Sequence, residues 1–226
     1  RTGNNWNDFS DMPRQLARFE RLGMRAVINV MYSVSPRHTD EYFVEKTRQI
    51  AALKPFRLCF KDVGGLLTPE RTRTLFPKMM AVSGDLEWEF HAHCNNGLGP
   101  LNAIEAAKAG AKYIHTAVPP LANGNSQPSV FNVVSNLREL GFDVLLDEER
   151  LRPVTEHLEH VAELEGFPRG VPYEYSERQY RHQIPGGMIS SLEYQMKQAG
   201  VEGHMEAVFE ETERVRADLG YPIMVT

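Results

Sequence analysis

The apolar positions in the first 129 residues switch repeatedly between two spacings. From Met12 to Gly23 they recur every three or four residues among charged ones, which predicts an amphipathic helix. Short runs rich in β-branched and aromatic residues follow, which predict buried strands, and loops and further helices separate them. The predicted strands are Arg25–Tyr32, Phe56–Lys61, Glu87–His93 and Lys112–Ala117, and the helices between them are Thr39–Ala52, one opened by Thr68-Pro69-Glu70, and Pro100–Ala109.

The unit of strand, loop and helix thus repeats four times, at a spacing of about thirty to forty residues, which predicts an α/β fold with a parallel sheet and right-handed crossovers. Four such units make half of an eight-stranded (β/α) barrel. Residues 1–129 are therefore predicted to form a half-barrel, and residues 130–226 a helical C-terminal region. The helices predicted there are Val130–Leu140, Glu148–Glu165, Gly187–Ala199 and Val201–Leu219.

Both ends of the chain are abrupt. It begins at Arg1, and it ends in the apolar stretch Pro222-Ile223-Met224-Val225-Thr226 without a polar tail. Because four parallel strands with apolar edges would make a poor free-standing sheet, we expect a fragment of a longer polypeptide.

Composition narrows the class of protein. The 226 residues are 42% hydrophobic and 24% charged, and 25 Lys and Arg against 30 Asp and Glu give a net charge of −5. The basic residues are scattered, so we expect no nucleic-acid partner. No apolar run approaches the roughly 18 residues of a membrane span. The two cysteines, Cys59 and Cys94, have no CxxC spacing, which favours a reducing, cytoplasmic location.

The sharpest chemical signal is the pair His91 and His93 at the end of the third predicted strand. Residues two apart on a strand project to the same face, so both imidazoles are placed to bind one metal ion. The alternative is one packed, hydrogen-bonded histidine and one exposed histidine. We interpret His38, His157, His160 and His204 as surface or capping residues.

Lys61 at the end of the second predicted strand is the next candidate. Its side chain either reaches solvent or pairs with a carboxylate such as Asp62. The functional hypothesis is that burial keeps the amine neutral, so that it captures carbon dioxide and offers the carbamate oxygen to a metal. The carbamate hypothesis is considered only because the histidine pair lies nearby.

Five motifs, in chain order, resemble the carboxyltransferase domain shared by pyruvate carboxylase, the alpha subunit of oxaloacetate decarboxylase and the large carboxyltransferase subunit of transcarboxylase. These carboxyltransferase domains belong to the wider superfamily of hydroxymethylglutaryl-CoA-lyase-like barrels. The motifs are Tyr32-Ser33-Val34-Ser35-Pro36-Arg37-His38-Thr39, which resembles YTxSPxHT, Lys61-Asp62-Val63-Gly64-Gly65-Leu66-Leu67, which resembles KDMAGLL, His91-Ala92-His93, Ser126-Gln127-Pro128-Ser129, and Gln183-Ile184-Pro185-Gly186-Gly187-Met188.

The resemblance implies a (β/α)8 TIM barrel with a helical funnel after it, and a divalent metal, Zn, Mn or Co, bound by Lys61 as a carbamate, His91 and His93. The aspartate ligand and the residues that bind the keto acid belong to the first barrel strand of the family. The resemblance therefore implies that this chain is the C-terminal half of the barrel, a fragment lacking the first barrel strands and these residues. The implied reaction moves a carboxyl group between carboxybiotin and a 2-oxo acid such as pyruvate or oxaloacetate. The implied partners are a biotinyl carrier domain, a biotin carboxylase subunit and further copies of the chain.

The chain departs from the family pattern at two places. Asn125 stands where the pyruvate carboxylase branch has a threonine that relays a proton, and His115 stands where the last barrel strand usually has an acid. Gly124-Asn125 is similar to the GN of the superfamily's lyases, where the asparagine approaches the metal. We therefore take Lys61 and Asn125 as candidate catalytic residues. A biotin-independent lyase or Claisen-type synthase remains the alternative, and a non-catalytic scaffold of a carboxylase complex is a third hypothesis.

Overall fold

The computed structural model describes residues 1–225, so Thr226, the last residue of the predicted helical region, lies outside the described residues. The strands are β1 (Val27–Met31), β2 (Arg57–Asp62), β3 (Trp88–Ala92) and β4 (Tyr113–Ile114). The helices are α1 (Met12–Arg21), α2 (Asp40–Ala51), α3 (Pro69–Met80), α4 (Gly99–Ala109), α5 (Val130–Glu139), α6 (Arg152–Glu165), α7 (Arg178–His182), α8 (Gly186–Ala199) and α9 (Met205–Asp218), with a 3₁₀ turn at Glu202–His204.

The four strands form one parallel sheet in the order β1-β2-β3-β4. Each strand is joined to the next through a helix, and the predicted α/β fold with a parallel sheet is confirmed. Lys61 on β2 lies in register between Met31 on β1 and His91 on β3. Paired residues of neighbouring strands project to the same side of a sheet, so this register decides which side chains can meet.

One side of the sheet is apolar and packs against α2, α3 and α4. We call it the outer face, and its side chains are at most 1% exposed: Ile28, Val30, Leu58, Phe60, Trp88 and Phe90. The ring of Phe76 on α3 lies 5.3 Å from that of Phe60 and 5.2 Å from that of Trp88, centroid to centroid. Each of these burials stabilises the fold by about 1.5–3 kcal/mol.

Two threonines fix where the connecting helices begin. Thr39 accepts a hydrogen bond from the Tyr42 amide at 3.2 Å, and Thr68 accepts one from the Arg71 amide at 3.0 Å. Both side chains satisfy an amide in the first turn that has no partner within the helix. The loops that precede α2 and α3 therefore end at defined residues, at the carboxyl edge of the sheet.

Several predicted boundaries differ from the structure. β4 is only Tyr113–Ile114, because beyond it the chain leaves β3 and Ala117 forms a bridge with Ser129 instead. The helix predicted from Val201 is interrupted: Glu202–His204 forms a 3₁₀ turn and α9 begins at Met205. α6 begins at Arg152, where proline in the first turn suits a helix start.

His38 is not the surface or capping residue that we predicted. It is 7% exposed, and its Nδ1 lies 2.6 Å from the Ser35 hydroxyl. The imidazole also packs edge-on against Tyr42, with ring centroids 5.0 Å apart. A local hydroxyl partner thus permits burial of a polar ring.

Within residues 1–225, every helix is too short or too polar to cross a lipid bilayer. Cys59 and Cys94 are both buried as free thiols.

Candidate active site

The side of the sheet opposite the outer face carries polar side chains. We call it the inner face, and it consists of Asn29, Met31, Cys59, Lys61, Glu89 and His91, with His93 and His115 just beyond the strand ends. An open cavity of about 510 Å³ lies over it, lined in part by Asn29, Cys59, Lys61, His91 and His115. The sequence-predicted lysine and histidines therefore lie on one surface, at the carboxyl edge where parallel sheets position reactive groups.

His91 and His93 are brought together as their spacing predicts. Their ring centroids are 5.1 Å apart, and the Gln127 side-chain nitrogen lies 3.3 Å from Nε2 of His91 and 2.9 Å from Nε2 of His93. Both rings are half-buried, so the alternative of one packed and one exposed histidine is wrong. The two Nε2 atoms converge on one point in space.

Different partners orient the two rings. Nδ1 of His93 lies 2.7 Å from the backbone carbonyl oxygen of Asn125 and donates to it, whereas Nδ1 of His91 lies 3.0 Å from Nδ1 of His115. Burial lowers the pKa of His91 to about 2, with the neighbouring His93 as the next cause, and burial also lowers the pKa of His93. Both imidazoles are neutral at neutral pH, which is the form that binds metals.

Lys61 lies beside His91 and is half-buried. The alternative that it pairs with Asp62 is wrong, because consecutive strand residues point to opposite faces. Asp62 is fully buried, and one of its carboxylate oxygens accepts a hydrogen bond from the Leu67 amide at 2.7 Å. Asp62 thus holds the loop after β2, and Lys61 faces the cavity together with His91.

Asn125 reaches the site through its backbone. Its carbonyl oxygen contacts His93, while its side-chain amide donates to the Ser190 hydroxyl at 3.1 Å. The side chain packs directly on Gly186, where any Cβ would collide with it. Asn125 therefore lies next to the histidine pair with its side chain directed at the start of α8.

Sequence reasoning missed two contributors to the site, Glu89 and Gln127. Glu89 has a side chain that is only 3% exposed, and it contacts His115 Nε2 at 3.1 Å and the Arg1 guanidinium at 2.7 Å. Gln127 stands out in the sequence only as part of a motif. Because Glu89 precedes His91 by two residues, the same spacing of two that identified the histidine pair also places Glu89 on the inner face.

The short α7 and the start of α8 contact the loops that follow all four strands. The Gln183 side chain accepts from the Val34 amide at 3.2 Å and donates to the Val34 carbonyl at 2.7 Å, and the Gln179 side chain donates to the Gly64 carbonyl at 2.9 Å. The Tyr180 hydroxyl accepts a hydrogen bond from the Asn96 side chain at 2.8 Å. The Ser190 hydroxyl accepts one from Asn125, which lies in the loop after β4. The helical region therefore fixes the mouth of the site.

The inner face fits a divalent metal. Nδ1 of His93 donates to a carbonyl, and the Gln127 nitrogen, a donor, faces Nε2 of both rings, so Nε2 is the acceptor nitrogen on each. Lys61 lies in register with His91. Two neutral imidazoles and an oxygen carried by a lysine form a nitrogen and oxygen donor set, which suits Zn, Mn or Co and does not choose among them. Which of these residues bind a metal stays a prediction.

Two family profiles and several carboxylase subunits are similar to this chain. A profile described as HMGL-like matches residues 10–158, and a profile described as a conserved carboxylase domain matches residues 180–226. A pyruvate carboxylase subunit of Methanocaldococcus jannaschii is 32% identical over 221 residues, which cover 97% of this chain and 39% of that protein. The 2-oxoglutarate carboxylase large subunit of Hydrogenobacter thermophilus is 29% identical over 229 residues, which cover 97% of this chain and 34% of that protein.

The fold is also that of a solved structure. The carboxyl transferase domain from Rhizobium etli pyruvate carboxylase, determined with pyruvate, superposes with a TM-score of 0.91 at 21% identity, covering 100% of this chain and 39% of that one. The predicted resemblance to a TIM-barrel carboxyltransferase domain is confirmed, and the chain spans about two fifths of the length of such relatives. The C-terminal match to a conserved carboxylase domain and the HMGL-like match over residues 10–158 agree with this resemblance, and the chain belongs to the HMGL-like family.

Proposed function

We propose that this chain contributes the metal-binding half of a carboxyltransferase, which moves a carboxyl group between carboxybiotin and a 2-oxo acid of the pyruvate and oxaloacetate type. The observation that carries the proposal is the convergence of His91 and His93 beside Lys61 at the carboxyl edge of the sheet. The names of the relatives, pyruvate carboxylase and 2-oxoglutarate carboxylase, support the reaction class and leave the 2-oxo acid open.

Three side chains would hold the metal: His91, His93 and Lys61. When bound there, a divalent metal supplies Lewis-acid polarisation of a keto oxygen and positive charge beside a developing enolate. The Lys61 amine would first add to carbon dioxide, forming an N–C bond and losing a proton from nitrogen, so that an anionic oxygen faces the histidines.

The chain's other residues hold this geometry. The Asn125 carbonyl orients His93, and the Gln127 amide lies between the two imidazoles at the mouth of the site. Asn125 has no hydroxyl, so a proton relay through a hydroxyl at this position is excluded. Asn125 is predicted from the sequence as a candidate catalytic residue, and in this proposal it acts as a positioning residue whose carbonyl orients His93.

The partners follow from the reaction. A biotinyl carrier domain must deliver carboxybiotin, and a biotin carboxylase subunit must charge it. Both carboxylase relatives are named as subunits, which supports partners on separate chains. We also propose a homo-oligomer, without nucleic acid, in the cytoplasm, where two buried free thiols are stable.

A second candidate is a biotin-independent lyase or Claisen-type synthase. The longest profile match, residues 10–158, is to the broader HMGL-like family, and Asn125 lies next to the histidine pair. This enzyme would use the same cation for carbon–carbon cleavage or condensation on an acyl-CoA. It differs from the first candidate by being insensitive to avidin.

The experiment measures oxaloacetate decarboxylation by the full-length natural protein, with and without free biotin and a chelator. We expect activity that biotin stimulates and the chelator removes, and Lys61→Ala is expected to abolish both turnover and bound metal. Lys108→Ala, which changes an exposed lysine paired with Glu105, is the matched control and should behave as wild type. Activity on an acyl-CoA with none on oxaloacetate would favour the second candidate.

A further inference from the structure

Two side chains, Glu89 and His115, stand in series behind His91, one member of the histidine pair. Glu89 Oε2 lies 3.1 Å from Nε2 of His115, and Nδ1 of His115 lies 3.0 Å from Nδ1 of His91. The Glu89 side chain is 3% exposed and that of His115 is 20% exposed. The series runs from the buried Glu89 carboxylate on β3 to the His115 ring beyond β4, and from that ring to His91 on β3.

One order of protons lets each histidine in the series donate to the next acceptor, and it starts from the Gln127 nitrogen, a donor that faces Nε2 of His91. The Glu89 oxygens only accept, because Arg1 donates to one of them at 2.7 Å and Arg57 approaches the other at 3.6 Å. Nε2 of His115 lies 3.1 Å from both Glu89 Oε2 and an Arg1 nitrogen, and in this order it donates to the carboxylate, which leaves its Nδ1 as an acceptor. His91 donates from Nδ1 to that acceptor, so its Nε2 is the nitrogen with a free lone pair, and this is the atom that faces Gln127.

The same residues allow a different interpretation, a second cation site. The ligand atoms of Cys59, Glu89 and His115 lie within 4.8 Å of one another. However, the Arg1 guanidinium already contacts Glu89 and lies 3.1 Å from His115, so a positive charge is present there. Burial raises the pKa of the Cys59 thiol to about 12, and a protonated thiol is a poor ligand. The contacts favour the hydrogen-bonded series over a metal.

We infer that Glu89 and His115 are positioning residues that fix the tautomer and orientation of His91, so that its Nε2 binds the metal. This inference rests on the proposed function, because it requires His91 to be a ligand. Second-sphere partners of this kind typically change metal affinity by about 10–100-fold. The Asn125 carbonyl orients His93 in the same way, so the two rings are oriented independently.

The inference also explains the departure at position 115. The resemblance implies an acid there, and the structure instead has a carboxylate on β3, that of Glu89, in contact with His115. An imidazole therefore stands between the carboxylate and the ligand histidine. His115→Asp would return an acceptor directly to His91.

The test measures metal dissociation constants, by competition with a chromogenic chelator using Zn²⁺ and Co²⁺, on the full-length protein. The visible spectrum of the Co²⁺ form reports ligand geometry without turnover. We expect His115→Phe, which keeps an aromatic ring but no acceptor, to weaken binding about 10–100-fold and to alter the Co²⁺ spectrum. Glu89→Gln should have a smaller effect in the same direction, and His115→Asp should restore affinity relative to His115→Phe.

Controls separate the possible failures. His160→Phe, at an exposed position on α6, should leave affinity unchanged, and the melting temperature of each metal-free variant reports its folding. Wild-type affinity in folded His115→Phe, with binding lost in His91→Ala, would overturn the positioning role and leave the proposed site intact. Unchanged binding in both variants would overturn the proposed site itself. A large loss of affinity in Cys59→Ala would show that the cluster is a cation site, against the inference.

Discussion

The two faces of the sheet differ less in burial than in what their side chains contact. On the outer face, Phe60 and Phe90 pack in an aromatic cluster with Phe76 of α3. On the inner face, Glu89 is equally buried but is paired with Arg1 and His115. A buried carboxylate is costly unless it is paired, so the inner face must satisfy its own charges.

The same contrast exists within a single strand. Phe60 and Lys61 are neighbours in sequence and project to opposite faces of β2. Substitutions at Phe60 should change stability, and substitutions at Lys61 should change chemistry. The expected effects are largest for substitutions on the two faces of β2. They are smaller at the loop contact of the helical region and at two buried histidines, and smallest on the helix surface.

The largest effect is expected from substituting these two neighbours. Phe60→Ala removes a fully buried ring that contacts Phe76 and should lower the free energy of unfolding by about 3–5 kcal/mol. Lys61→Ala should change it by less than about 1 kcal/mol, because its side chain is only half-buried. Urea denaturation measures the first quantity, and metal content measures the loss expected at Lys61.

Phe60→Leu is the graded control, since it should fold even if Phe60→Ala does not. A stability loss at Lys61 as large as that at Phe60 would break the division between the faces.

The next effect concerns the link between the helical region and the first loop. Gln183→Leu keeps the size of the side chain but leaves the Ser33 hydroxyl and both backbone polar groups of Val34 without this partner. Unsatisfied buried groups cost about 1–3 kcal/mol, so we expect a loss of about 2 kcal/mol in urea denaturation. Gln195→Leu, at an exposed site on α8, is the matched control, and equal losses in both variants would refute a specific role for Gln183.

A smaller effect is expected from pH. Burial, reinforced by nearby arginines, lowers the pKa of both His38 and His182 to about 4. Each group is neutral in the fold and binds a proton more readily when unfolded, so its stabilisation is fully present above pH 6.5 and is lost as pH falls towards 4. The free energy of unfolding should therefore drop as pH falls through this window.

Urea denaturation between about pH 7.5 and 4 measures that slope. It should be shallower in His38→Gln and unchanged in His157→Gln, whose ring is exposed. An identical slope in the His38 variant would contradict the assignment.

The smallest effect lies on the helix surface. Arg48 and Glu45 form an exposed pair on α2 at 2.6 Å, with side chains 57% and 53% exposed. Solvent screens such pairs, and Arg48→Ala should change the free energy of unfolding by less than about 0.5 kcal/mol in thermal denaturation. A loss above about 1 kcal/mol would show that charge pairing outside the inner face matters more than the contrast between the faces allows.

The sequence predicts the strands and the histidine pair because both depend on local spacing. Residues two apart on a strand share a face whatever surrounds them, so His91 and His93 needed no tertiary information. The burial of His38 and the short β4 could not be predicted in this way, since each depends on how the chain packs or on where strand pairing stops. The contacts of Gln183 with Val34, 149 residues away, likewise leave no local pattern.

The contact between the loop after β1 and Gln183 also determines when, during synthesis of the chain, the site can be completed. Ser33 and Gln183 are 150 residues apart, and a ribosome adding about 5–20 residues per second needs roughly 8 to 30 s to cover that distance. During this interval the first strands and helices have emerged, while the loop after β1 still lacks its buried partner. The mouth of the site is therefore completed late in synthesis, and a nascent chain released early would carry the metal-binding histidines under an unfinished rim.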